Sequence, residues 1–213
     1  MNRLEGNRIL VTGAASGIGQ AAALRLLDEG ATVVGADIAA DGLGMTRVRA
    51  DEAATGNRLT TLEMNVGDED SVIDGVCWAV EQLGGLDSLV NAAGILRAAH
   101  THQTSTELWN QIIAVNLTGT FLVVREALPA LLANSRSAIV NFSSTSASFA
   151  HPYMAAYAAS RAEYRPSPIL WHSNTPRTVC ARHAWRPAAS SPGSPTRPGD
   201  TFPKTLTGRC SPG

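Results

Sequence analysis

From Arg8 to Ala162 the chain alternates short apolar runs with longer stretches in which apolar residues recur at helical spacing. RILVT (8–12) is a run of the first kind and predicts a strand that ends in the turn GAASGIG. QAAALRLLDEG then repeats with a helical period and stops at Gly30, and TVVGAD (32–37) predicts a second strand. A third strand lies in LTTLEMNV. Ser71 is placed to cap a helix whose Val72, Val76, Ala79, Val80 and Leu83 share one face, closed by Gly84-Gly85. LDSLVNAAG supplies strand four, a long helical pattern runs from about Thr106 to Leu132, and SAIVNFSS supplies strand five. A strand buried on both faces reads as a continuous apolar run, whereas a half-exposed one alternates. Continuous runs separated by helices therefore predict an α/β fold, with a parallel sheet covered on both faces.

The pattern breaks after Ala162. Of the 11 prolines, only Pro129 and Pro152 precede that point. Beyond it stand Arg165, Arg177, Arg182, Arg186, Arg197, Lys204 and Arg209, against Glu163 and Asp200 alone. The tail is thus +5, and with a chain total of −1 the body is −6. At 213 residues and 44% apolar content, the chain has room for one domain with a sizeable core, read here as residues 1–162, followed by a Pro/Arg-rich segment 163–213. Cys77, Cys180 and Cys210 fit no metal spacing and leave an odd thiol in any disulfide scheme. No apolar run of membrane-spanning length and no signal-peptide core stand out, so a cytoplasmic protein is expected.

Candidate chemistry starts at the glycine turn. Gly13, Gly17 and Gly19, with Ser16 and Ile18 between them, lie between strand one and its helix. Missing Cβ atoms let backbone N–H groups approach a pyrophosphate at the positive end of that helix. Asp37 closes strand two about 20 residues on, where a carboxylate accepts from ribose hydroxyls and repels a 2′-phosphate. The pair predicts a dinucleotide site for NAD rather than NADP. Taken one at a time, the other candidates have blander readings: Ser144 as a strand-end cap, Asn116 as a polar helix group, Tyr157 as a half-buried aromatic. His100, His102 and His151 read as loop residues with no metal assigned, and Trp78 and Trp109 as packing residues.

With TGAASGIG (12–19), NAAG (91–94), Asn116, the Ser143-Ser144 pair and YAAS (157–160) in this order, residues 4–162 resemble the short-chain dehydrogenase/reductases. The resemblance implies a Rossmann-type doubly wound sheet and nicotinamide-dependent interconversion of a small-molecule alcohol and its ketone, commonly in homodimers or homotetramers. It implies that Tyr157 is the general acid/base, that Ser144 orients the substrate oxygen, and that Asn116 holds a water in a proton relay. Asn91, Ala92 and Gly94 would line the adenine and ribose side. Asn65-Val66 stands where the family has Asp-Val beside the adenine, which weakens that contact. A phenol titrates near 10 in isolation, so it needs a neighbouring cation to act at neutral pH. The family places a lysine four residues beyond the tyrosine. Here Arg161 occupies that place, in the catalytic and the cofactor-binding roles alike. A planar guanidinium does not simply replace a compact ammonium, and reduced activity is expected from this change.

In the resembled family the helix of Tyr157 runs on into a sixth strand and a proline–glycine loop over the cofactor. Pro166 and Pro168 break such a helix. Reading the tail codons shifted by two bases explains the break. Trp171 before His172 then forces alanine, and permissive third bases yield a string ending G-V-R-A-x-x-V-A-P-G-G-V, which looks like the missing strand and loop. The sheet is accordingly expected to lack its last strands, exposing the edge of strand five. The alternative function is then a catalytically impaired dinucleotide-binding fragment with little turnover. A basic arm for nucleic acid is the competing view of the tail, but its charges are dispersed and carry no aromatic platform, so neither nucleic acid nor membrane is expected as a partner.

Overall fold

The structure is a computed structural model that describes residues 2–149 and 151–162, and residues 179–184 by their backbone alone. The elements follow in strict alternation: β1 (Arg8–Thr12), α1 (Gly17–Asp28), β2 (Thr32–Asp37), α2 (Ala40–Glu52), β3 (Leu59–Glu63), α3 (Glu69–Leu83) and β4 (Ser88–Asn91). Then come α4 (Thr106–Ile113), a π turn at Ala114–Thr118, α5 (Gly119–Leu132), β5 (Ser137–Phe142), α6 (Ala155–Ala162) and β6 (Val179–Ala184). The strands form one sheet in the order β3-β2-β1-β4-β5-β6, and every pairing is parallel.

Each central strand feeds two cores because successive side chains point to opposite faces. Leu10, Val34, Leu89 and Ile139 meet Val72, Val76 and Ala79 of α3 and Leu122, Val123, Ala127 and Leu131 of α5 on one face. Ile9, Val11, Val33 and Val90 meet Ala23 and Leu27 of α1 and Leu43 and Ala50 of α2 on the other. This is the physical content of the unbroken apolar runs. The α/β expectation with helices on both faces holds.

Three local expectations are corrected and one helix is added to them. Ser71 does not cap α3: Asp68 does, accepting from the Ser71 amide at 2.8 Å, while the Ser71 hydroxyl accepts from the Asn65 amide at 3.0 Å. Asp and Ser are near-equal caps, and Asp68 stands one position before the helix. Second, α2, for which the sequence offered no expectation, buries Leu43, Thr46 and Ala50, and polar bonds add to that packing: Thr46 donates to the Ala14 carbonyl at 2.8 Å and Gln20 donates to Thr46 at 2.7 Å.

Third, Thr106–Leu132 is long and apolar enough to cross a membrane by length and composition. It packs on α3 and the sheet, with Leu122, Val123, Val124, Ala127 and Leu131 buried there. Fourth, the sheet does not end at β5. Val179–Ala184 runs parallel along it, from Ser137 opposite Val179 to Phe142 opposite Ala184. An open edge offers a row of N–H and C=O groups that an extended segment satisfies through its backbone, whatever its side chains. The remaining expectations about the tail lie outside the described residues.

Candidate active site

The strand order reverses between β1 and β4, and the loops leaving those two strands diverge at their carboxyl ends. Such a switch point opens a crevice in any doubly wound sheet. Here it is a cavity of about 640 Å³ lined from the ends of β1 (Gly13), β2 (Asp37), β3 (Asn65, Val66) and β4 (Ala92, Gly94).

Its floor is the glycine turn. Gly13 has φ +75°, and a Cβ there would lie 2.6 Å from the Ala93 amide nitrogen. At Gly19 a Cβ would lie 2.1 Å from the Gly13 carbonyl oxygen, so α1 can start this close to β1 only with glycine there. Gly17, with φ +54°, meets nothing within 4 Å and leaves its side of the turn open. Ser16 and Ile18 complete the lining, and Ile18 is 64% exposed although apolar. The first turn of α1 thus borders an open space, an arrangement suited to an anion.

The carboxylate of Asp37 accepts from the Ala15 amide and the Ala39 amide, both at 3.0 Å. The two bonds fix its orientation at the cavity rim. Asn65 lines the wall and accepts from the Gly67 amide at 3.0 Å, a local turn that stiffens the exit of β3. Asn91 departs from expectation. It is buried between β4 and β5, where its amide donates to Asn141 at 2.9 Å, and the lining on this side comes from Ala92, Ala93 and Gly94.

Asn116 sits in the π turn, fully buried. Its Oδ1 accepts from the Ile95 amide at 2.8 Å, and its Nδ2 donates to the Ile95 carbonyl at 2.9 Å and to Ser160 Oγ at 3.0 Å. The side chain is a clamp on the loop after β4. A relay through this residue would have to use its carbonyl, which accepts from Thr120 at 3.1 Å. A π turn widens the helix by one residue, and that bulge brings Asn116 into reach of both partners.

Ser144 and Tyr157 come from β5 and α6. Ser144 caps a short turn at Thr145–Ala147, accepting from the Ser146 amide at 3.2 Å, and its own hydroxyl proton remains available to another acceptor. α6 packs against that turn and against the π turn, which gathers Ser144, Tyr157 and Asn116 around one helix. Neither Ser144 nor Tyr157 lines the cavity itself. Arg161 does, and it links the two regions: its Cζ lies 5.7 Å from the Tyr157 ring centroid.

Arg161 is 6% exposed, with Nη1 donating to the Phe142 carbonyl at 3.2 Å and Nε buried without a partner among the described residues. Nη2 stands 2.1 Å from where a Cβ on Gly94 would be, so glycine at 94 makes room for it. No carboxylate pairs with Arg161 among the described residues, an unusual state for a buried cation.

Some contributors carry no sequence signal. Ile38, Gly67 and Ile95 line the cavity merely as neighbours of predicted residues, whereas Gln111, Ala114 and Val115 reach it from the far helix. Ser160 is fully buried and joins Asn116 to the Tyr157 carbonyl, to which it donates at 2.8 Å. Trp109, expected to pack, is 40% exposed beside a small second cavity with Thr104 and Ala155.

The sequence profile described as short chain dehydrogenase covers residues 7–165. The chain belongs to this family. Among its curated relatives is the 3-oxoacyl-[acyl-carrier-protein] reductase FabG of Thermotoga maritima, 39% identical over 160 residues, covering 75% of this chain and 64% of that protein. A short chain dehydrogenase from Mycobacterium smegmatis superposes with a TM-score of 0.71 at 33% identity, over 76% of this chain and 67% of that one. Carveol dehydrogenase from Mycobacterium avium, solved in complex with NAD, gives 0.71 at 28% identity, over 76% and 63%. The chain thus spans slightly under two thirds of the length of the curated relatives it matches.

Proposed function

We propose that the protein is an NAD-dependent oxidoreductase that interconverts a small secondary alcohol and its ketone. The observation that carries the reading is Arg161, whose guanidinium lines the dinucleotide cavity while its Cζ lies 5.7 Å from the ring centroid of Tyr157. One side chain thereby joins a cofactor-sized space to a proton donor.

The cavity suits a dinucleotide on its own terms. Cβ atoms at Gly13 and Gly19 would collide with backbone, Gly17 leaves open space, and the carboxylate of Asp37 stands at the rim. Amides at the start of α1 would hold the pyrophosphate, and Asp37 would accept from the adenosine ribose hydroxyls. A 2′-phosphate would meet the same carboxylate, which supports NAD over NADP. When bound, the nicotinamide ring supplies or takes the hydride. In the reductive direction Tyr157 gives its phenolic proton to the carbonyl oxygen as the carbonyl carbon gains the hydride, and Ser144 donates a hydrogen bond that holds that oxygen in line. In the oxidative direction Tyr157 takes the hydroxyl proton. Arg161 balances the negative charge on the tyrosine oxygen, and the Asn116–Ser160 pair holds α6 against the loop after β4.

Residues 1–162 would form this working domain, with 163–213 as an appended segment. A cytoplasmic setting, where nicotinamide dinucleotides are available, and a homodimer or homotetramer complete the reading, with no nucleic-acid or membrane partner. The test is a titration of the purified chain with NADH and NADPH, followed by a panel of secondary alcohols and ketones monitored at the nicotinamide absorbance band. Tighter binding of NADH with turnover supports the reading. NADH binding without turnover favours the alternative of an impaired dinucleotide-binding fragment, and no binding of either cofactor refutes both.

A further inference from the structure

The polar side chains that line the large cavity are Ser16, Asp37, Asn65, Gln111 and Arg161. Asp37 is the one carboxylate of that lining, and the Ala15 and Ala39 amides already hold it. One strand further from the switch point, β3 leads into Met64, Asn65, Val66 and Gly67, and all four line the same cavity. No acid lines this end. Asp68 and Glu69, next in the chain, serve the Ser71 amide and Arg125 instead.

Asn65 is held from several sides. Its amide donates to Ser71 Oγ at 3.0 Å, and its carbonyl accepts from the Asp68 amide at 3.1 Å. Its Oδ1 accepts from the Gly67 amide at 3.0 Å. A backbone N–H only donates, so this last bond fixes which end of the carboxamide is oxygen. The donors on Nδ2 remain, and no described group accepts from them. They belong to a half-buried residue in the cavity wall.

The wall around Asn65 is apolar. A Cβ on Gly67 would lie 3.5 Å from Val115 Cγ2, and one on Gly119 would lie 2.5 Å from the Val66 carbonyl oxygen. The π turn and the start of α5 therefore press on the exit of β3. Val66, Val115 and the exposed Ile38 line the same space, and Gln111 adds a second carboxamide one helical turn before Val115. An apolar wall with an oriented N–H donor suits a flat heteroaromatic ring that carries an acceptor.

Resting on the reading of the cavity as a dinucleotide site, we propose that Asn65 is a nucleobase-specificity residue. The site accepts a dinucleotide whose purine carries a 6-carbonyl group at least as well as one carrying adenine. The order of the strand ends says which part of the ligand is concerned. With the pyrophosphate at α1 after β1 and the ribose at Asp37 after β2, the base falls to the next strand out. Adenine presents a 6-amino donor there, and hypoxanthine a 6-carbonyl acceptor. Nδ2 of Asn65 serves the carbonyl directly, whereas the 6-amino group must share Oδ1 with the Gly67 amide. An acceptor-only carboxylate in the same place reverses that preference.

Calorimetric titration of the full chain with NADH and with reduced nicotinamide hypoxanthine dinucleotide tests this, and turnover plays no part in the readout. The hypoxanthine form is expected to bind as tightly as NADH or up to about threefold more tightly, the reach of one hydrogen bond. Asn65→Asp keeps an acceptor for the Gly67 amide and should move the ratio at least about fivefold towards adenine. A parent protein that favours NADH by more than about twofold overturns the proposal, and so does a ratio that Asn65→Asp leaves unmoved. The parent ratio decides alone if that variant does not fold. Discrimination against hypoxanthine with NADH bound refutes this inference and leaves the dinucleotide reading standing, whereas binding of neither refutes both.

Discussion

Asn116 and Ser160, 44 residues apart, share a buried hydrogen bond of 3.0 Å that ties the π turn to the helix of Tyr157. Ser160 passes the connection on to the Tyr157 carbonyl, and Asn116 passes it to both polar groups of Ile95. Three segments that meet only in the fold thereby take one geometry.

Ser160→Ala should cost about 1–3 kcal/mol, because it removes the buried hydrogen bond from Asn116 Nδ2 to Ser160 Oγ. Thermal unfolding measures that loss. If the network also positions Tyr157, kcat should fall while KM changes little. An unchanged melting temperature would show that the bond contributes nothing.

The glycines separate sterics from backbone strain. Gly19→Ala puts a Cβ 2.1 Å from the Gly13 carbonyl oxygen, and NADH affinity should be lost. Gly17→Ala has open space around it and only a positive φ against it, a penalty of about 1–2 kcal/mol. Fluorescence titration with NADH should rank the two variants in that order.

Arg161→Lys should raise kcat/KM by at least about tenfold, equivalent to about 1.4 kcal/mol of barrier. A compact ammonium with rotatable donors leaves the space against Gly94 free and has no Nε to bury unpaired. Steady-state kinetics of the two proteins, matched for NADH affinity, decide the point. Equal or lower activity in the lysine variant would mean that the guanidinium is the better group here.

Acid should expose the anchor of the N-terminal segment. The Arg3 guanidinium, bonded to both oxygens of Glu29 at 2.9 and 2.7 Å, holds that carboxyl at about 2 against an ordinary 4.5. Since the folded value lies below the unfolded one, the stabilisation is complete above pH 4.5 and drains away as pH falls towards 2. Melting temperatures of the parent and of Glu29→Gln should therefore converge across that window. A gap that stays constant would place the stabilisation elsewhere.

Reading the tail codons one frame over remains a proposal about residues 163–213, and the coding nucleotides test it directly. Third bases that restore the G-V-R-A string support the shift, since alanine at the Trp171–His172 junction is fixed in any case. Any other third bases remove it.

The order of β1 to β5, the two-faced core, the glycine turn and Asp37 at the end of β2 were already legible in the residues, whereas α2 and β6 were not. Each rests on a local rule: apolar runs of strand length, helical period, and the backbone freedom of Gly13. Even the cap of α3 failed by only three positions, because Asp68 and Ser71 can do the same chemistry. Tertiary structure alone decided the rest. Asn116 became a clamp because a π turn points it at Ile95 and Ser160. Asn91 turned to Asn141 because parallel pairing sets the two side by side, and Arg161 came to bridge cavity and tyrosine because Gly94 left room. Those outcomes depend on distances between segments far apart in the chain, and no periodicity within a segment encodes such a distance.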